Sequence, residues 1–201
     1  MYRRTLADVL LFGVTAVELA LLAWLTPTFG VPDWIYLAQH LVVLGVALTR
    51  RAPQAQDRSM PSNAAVLVAY AYPYAQMLYL RWAPDEPVWP DGGLGLVIIA
   101  ACLSLASLLA LGRRFGIRPA LRELAQSGPY RFLRHPMYLA YVLADVGYNL
   151  VGWNEGTVLL VLAGWAALVY RIRAEERVLA GDPGWAAYAA RVRYRLIPGL
   201  W

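Results

Sequence analysis

The 201-residue sequence holds one cysteine, two histidines and no lysine, so all eighteen of its basic side chains are arginine. A lone Cys102 in an apolar run excludes a disulfide framework within the chain and a cysteine-based zinc site. His40 and His135 alone give no reason to expect a metal centre, and without lysine there is no Schiff-base chemistry. Charge is also scarce. Charged residues make up 15% and hydrophobic residues 60%, whereas a soluble domain carries about 25% charge and roughly 45–50% apolar residues. There is no internal repeat and no low-complexity linker. What the chain does have is apolar length, which places it in a membrane.

Apolar stretches fall at about 6–26, 33–49, 63–82, 93–112, 137–151 and 156–172, separated by Pro, Gly and charge clusters. At roughly 20 residues per crossing, six crossings use about 120 residues and leave no room for a separate soluble domain. The expected fold is therefore an all-α integral membrane protein of about six transmembrane helices, one multi-pass domain over residues 1–201. Residues 1–112 would supply four crossings. Residues 113–201 would supply crossings five and six, a juxtamembrane loop between crossings four and five, and a C-terminal amphipathic helix. The first stretch is too long for a signal peptide and lacks a small-residue cleavage pattern, so it is expected to be a retained anchor.

Seventeen of the eighteen arginines fall on one side of this arrangement, the exception being Arg81. The positive-inside rule then puts both termini in the cytoplasm, with the inner (cell) membrane as the expected location. The same count accounts for the net charge of +5 without nucleic acid, for which no aromatic-basic motif is present. The expected partners are membrane lipids and a lipophilic or lipid substrate, with neither nucleic acid nor metal.

Two segments stand out against this topology signal. The first runs Ser127-Gly128-Pro129-Tyr130-Arg131-Phe132-Leu133-Arg134-His135-Pro136-Met137-Tyr138 and leads into crossing five. Pro136 suits the first turn of a helix, so free N–H groups should open beside Arg131 and Arg134 and offer an anion site. Upstream, Pro119 is expected to open a short helix over Ala120–Gln126. The second segment is Arg171-Ile172-Arg173-Ala174-Glu175-Glu176-Arg177, at the end of crossing six. Helical spacing allows Glu175 to pair with Arg171 and Glu176 with Arg173, or a carboxylate to face a ligand. A short turn near Val151–Gly156 makes crossings five and six a hairpin and brings His135 to Glu176. Tyr138, Tyr141 and Asp145 share one face of crossing five. Asp182 and Pro183 are expected to start the last helix, with Trp185, Tyr188 and Val192 on its apolar side.

The run Gly128-Pro129-Tyr130-Arg131, then Arg134-His135-Pro136-Met137-Tyr138, then Glu175-Glu176, then a tail from Tyr188 to Tyr194-Arg195-Leu196-Ile197-Pro198-Gly199-Leu200-Trp201, closely resembles the isoprenylcysteine carboxyl methyltransferase family and its relatives among phospholipid N-methyltransferases. The likeness runs from Gly112 onward; the first hundred residues match only as generic crossings. It implies a membrane enzyme that uses S-adenosylmethionine, bound between the Arg-His-Pro-x-Tyr helix start and the paired glutamates. The cofactor-binding set would be Tyr130, Arg131, Arg134, His135, Pro136, Tyr138, Tyr141, Glu175 and Glu176. Arg171 or Arg173 would hold a carboxylate acceptor, and Glu176 would help deprotonate an amine. Two other readings stand beside this one. One is a nicotinamide-dependent membrane reductase resembling the steroid 5-alpha-reductases. The other is a small transporter or lipid-binding scaffold with Glu18 and Asp145 as pathway residues.

Overall fold

The structure is a computed structural model and describes residues 31–49, 53–82, 87–116 and 118–201, together with Gly13, Ala16, Val17 and Ala20. Glu18 and most of the expected first crossing lie outside the described residues.

Five long helices carry the described chain: α1 (Val31–Thr49), α2 (Met60–Trp82), α3 (Pro90–Leu111), α4 (Pro136–Val151) and α5 (Glu155–Leu179). A seven-residue helix, α6 (Trp185–Arg191), follows. Among the described residues, two segments are long and apolar enough to span a bilayer, Pro90–Arg114 and Glu155–Leu179. Leu94, Ile99 and Leu109 of the first and Leu159 and Leu162 of the second are exposed. An apolar belt of this kind is a liability in water but is ordinary against lipid.

α4 lies chiefly along α3, and α5 along α2. The α3–α4 crossing is tight because it is built on glycine. A Cβ at Gly147 would fall 2.8 Å from the carbonyl oxygen of Gly93, and one at Gly93 would fall 2.6 Å from the carbonyl oxygen of Gly147. On the other pair, the Tyr72 ring of α2 sits on Gly164 of α5. The α4–α5 turn is short, as expected. Asn154 caps α5 by accepting from Gly156 N–H at 2.8 Å, and the buried Thr157 hydroxyl reaches Asn149 Oδ1 at 2.9 Å.

Two polar groups inside the bundle bond to neighbouring helices. Asp145 accepts from the Tyr72 hydroxyl at 2.9 Å and the Trp165 indole N–H at 2.8 Å, which ties α4 to α2 and α5. Gln39 of α1 donates to Ser104 of α3. Ser104 and Ser107 are buried where the small-residue stretch of α3 packs, while Cys102 is exposed.

Two local expectations are corrected. Residues 120–126 are not helical. Ala120–Leu121 (β2) pairs antiparallel with Ala55–Gln56 (β1), in the register Ala55 to Leu121 and Gln56 to Ala120. Gln54 N–H to Leu121 O (2.7 Å) and Asp57 N–H to Pro119 O (3.0 Å) extend the clasp. With the carbonyls of Pro119 and Leu121 committed across the strands, no helical ladder can start there. The last helix begins at Trp185 rather than Asp182, because the Asp182 carboxylate accepts from Gly184 N–H at 2.7 Å and forms a turn first.

Candidate functional site

α4 starts where its sequence dictates. Pro136 excludes helical backbone for the residue before it, and His135 sits at φ −131° and ψ 57° with Pro136 in the first helical turn. Arg134 and His135 donate their backbone N–H groups to Tyr194 O and Arg195 O, both at 2.9 Å. The N–H groups of Tyr138 and Leu139 return to His135 O. Much of the donor set expected to stand open for an anion is therefore already used by the C-terminal tail and by the turn itself. The tail folds back on itself to do this. Gly199, at φ +81°, lets the N–H groups of Leu200 and Trp201 reach Ile197 O, and the Trp201 carbonyl then accepts from Arg195, Leu196 and Ile197.

Side chains lock the same junction. Glu176 accepts from Arg134 Nη1 at 2.7 Å and from Arg195 through Nε at 2.9 Å and Nη2 at 2.7 Å. His135 is buried between the two glutamates, with Nε2 3.4 Å from Glu176 Oε1 and Nδ1 3.7 Å from Glu175 Oε2, and its ring stacks on Tyr138. Glu176 thus draws its arginine partners from the α4 entry and the tail, not from Arg173 on its own helix. Glu175 accepts from the Tyr138 hydroxyl. Leu196 joins Tyr138, Leu168 and Ile172 in the core beneath this junction.

Beside it opens a cleft of about 900 Å³, its solvent mouth included. Its inner wall carries Tyr138, Tyr141, Arg171 and Glu175, with Tyr70 arriving from α2. Arg171 is buried and lies over the Tyr138 and Tyr70 rings, at 5.2 and 5.6 Å to their centroids. The outer wall comes from the clasped loop and α6 through Arg114, Phe115, Arg118, Arg122, Glu123, Trp185 and Tyr188. Gly116 makes room for the buried Arg122, since a Cβ there would fall 2.5 Å from its guanidinium. Tyr188 donates to Tyr130 O at 3.0 Å, and burial pushes the Tyr188 hydroxyl up to about 12 and that of Tyr130 well above the usual phenol range. Both therefore stay neutral at ordinary pH.

Of the residues singled out from sequence, Tyr130, Arg134, His135, Tyr138, Tyr141, Arg171 and Glu175 reach the cleft. Four do not belong to its wall: Arg131 and Arg173 are exposed at the surface, Pro136 is buried in the helix start, and Glu176 is enclosed by its arginines. Asp145 also lies away from it. Sequence reasoning assigned Arg114, Arg118 and Arg122 to topology and Trp185 and Tyr188 to the membrane surface, and it singled out nothing at Tyr70. The crowding of four arginines at 113, 114, 118 and 122 into one short loop was the available signal.

Two helices long and apolar enough to span a bilayer, with a charged, aromatic cleft at one end of them, fit a membrane protein with a candidate ligand site. Residues 93–181, just under half of the chain, match the model of the isoprenylcysteine carboxyl methyltransferase (ICMT) family. Over that stretch the chain is similar to this family, whose members are membrane-embedded methyltransferases. The match starts earlier than the motif likeness, in α3, and stops at Gly181 before the tail. No curated protein matches the chain.

Proposed function

We propose that the protein is an S-adenosylmethionine-dependent methyltransferase that acts on a lipophilic acceptor, a carboxylate or an amine, at the cytoplasmic face of the membrane. The observation that carries this reading is the composition of the cleft. Arginines, the carboxylates of Glu123 and Glu175 and a cluster of tyrosine rings line one cleft at the end of bilayer-length helices, and most of these residues fall in the stretch that matches the family.

The donor set fits the cofactor piece by piece. Arg114, paired through Nε with Glu123 at 3.3 Å, and Arg122 carry guanidinium groups suited to its carboxylate. Glu175 is an acceptor for ribose hydroxyls or the ammonium group. The Tyr141 ring, beside the Tyr70 and Tyr138 rings that Arg171 covers, suits a sulfonium cation, and Phe115, Leu124 and Met137 give an apolar surface for adenine. When bound, S-adenosylmethionine supplies a methyl group on a cationic sulfur, open to direct displacement. The chain's own task is then to orient the two reactants and exclude water. Arg171, buried among the rings, holds an acceptor carboxylate, while an amine would give its proton to Glu175. Glu176, enclosed by Arg134 and Arg195, braces the α4 entry instead of acting as a base.

The test is ligand stabilisation of detergent-purified protein. A ligand that binds only the folded state stabilises by about 2.7 kcal/mol at 100 times its Kd, which raises Tm by several degrees. S-adenosylhomocysteine is expected to give this shift and NADPH none. Stabilisation by NADPH alone would overturn the proposal in favour of a reductase.

A further inference from the structure

On the side of the α4 entry away from the cleft, the tail forms a groove of about 610 Å³, open to solvent, whose wall includes Arg131, Arg191 and Arg193 and no carboxylate. We propose that this groove binds the phosphate of an anionic phospholipid from the surrounding leaflet. The inference concerns a surface outside the cofactor cleft and does not depend on methyl transfer.

Charge is the first argument. Arg131 and Arg193 are exposed, and among the described residues neither is held by a carboxylate. Arg191 donates to Gln126 and lies 5.9 Å from the centroid of the Tyr188 ring, so its guanidinium is held in place at the groove edge. Three planar cations in the wall of one groove without an acid suit a phosphate, which accepts paired N–H donors from a guanidinium fork.

Position and apolar surface select the lipid over a free anion. Arg131 lies five residues ahead of Pro136, where α4 opens, so the groove sits at the end of the helix bundle, at headgroup level. Next to the cations in the groove wall stands Phe132, 73% exposed, and the same tail carries exposed Ile197 and Leu200. A soluble phosphate makes no use of these, whereas an acyl-chain boundary does. The backbone of the groove is also the strap over the cofactor side. Arg193 O accepts from Arg134 Nη2 at 2.6 Å and Tyr194 O from Arg134 N–H. A lipid seated here therefore braces the tail that holds Arg134 and Glu176.

The experiment uses the full chain in detergent, equilibrated with equal amounts of phosphatidylglycerol and phosphatidylcholine, and native mass spectrometry reads the retained lipid. The wild type is expected to retain phosphatidylglycerol over phosphatidylcholine by about tenfold, from the attraction of juxtamembrane arginines for anionic headgroups. R131Q/R193Q should lose that preference, and R131K/R193K should keep most of it, which separates charge loss from misfolding. Millimolar inorganic phosphate should leave retention unchanged. Equal retention of the two lipids by the wild type, an undiminished preference in R131Q/R193Q, or displacement of the lipid by inorganic phosphate would each overturn the proposal.

Discussion

Replacing Glu176 with alanine is expected to destabilise the protein by about 3 kcal/mol, the cost of breaking a largely desolvated ion pair from one side, and so to lower Tm by roughly 6–12 °C. Both oxygens are engaged, one by Arg134 and the other by the fork of Arg195. The side chains of Glu176 and Arg134 are each only 12% exposed. Without the carboxylate, two guanidinium groups face each other across the α4 entry, and the tail strap that ends at Trp201 loses its ionic anchor. Glu176→Gln keeps an acceptor but not the charge, so an intermediate loss is expected. Differential scanning fluorimetry in detergent reads the series. A Tm for Glu176→Ala equal to wild type would mean that these pairs contribute no more than exposed ones.

Glu175→Ala is expected to behave in the opposite way, with Tm of the ligand-free protein nearly unchanged and S-adenosylhomocysteine bound about 10–100-fold more weakly. That range is one charged hydrogen bond of roughly 1.5–3 kcal/mol lost from a partly desolvated site. Glu175 faces the cleft, whereas Glu176 does not. Among the described residues the Glu175 carboxylate accepts a hydrogen bond from the Tyr138 hydroxyl and lies 3.7 Å from His135 Nδ1, which leaves accepting capacity toward a ligand. Tyr138→Phe, which keeps the ring against Arg171 and removes the hydroxyl, should cost less. Calorimetric titration of the three proteins checks this. Unchanged affinity in Glu175→Ala would remove Glu175 from the binding set.

The contrast between these adjacent carboxylates shows where the sequence was informative. The start of α4 could be placed from the Arg-His-Pro run, because proline constrains both its own φ and the residue before it. The α4–α5 hairpin followed from its short polar turn, and it brought His135 to the glutamates. Which glutamate would face the cleft was not legible. Helical spacing pointed to Arg171 and Arg173 as partners, but Arg134 and Arg195 come from other elements and win by geometry. The strand at Ala120–Leu121 was equally hidden. A two-residue ladder has no periodicity, and its partner is more than sixty residues away. Arginine next to a crossing reads as a topology signal whether or not it also lines a cleft, and for that reason Arg114 and Arg122 were passed over. Asp145 was placed correctly on the face of Tyr138 and Tyr141, but only the structure shows Tyr72 and Trp165 closing on it.

The central claim is that this cleft delivers a methyl group to a lipophilic acceptor, and the most direct test is transfer itself. Purified protein in lipid nanodiscs would be incubated with methyl-tritiated S-adenosylmethionine and an extract of membrane lipids and small amphiphiles, and label in the organic phase would then be counted. The expected result is time-dependent, protein-dependent label in an extractable product, reduced at least tenfold by Glu175→Ala and by Arg171→Ala. Organic-phase label no greater than in a protein-free control, from a preparation that S-adenosylhomocysteine stabilises, would contradict it.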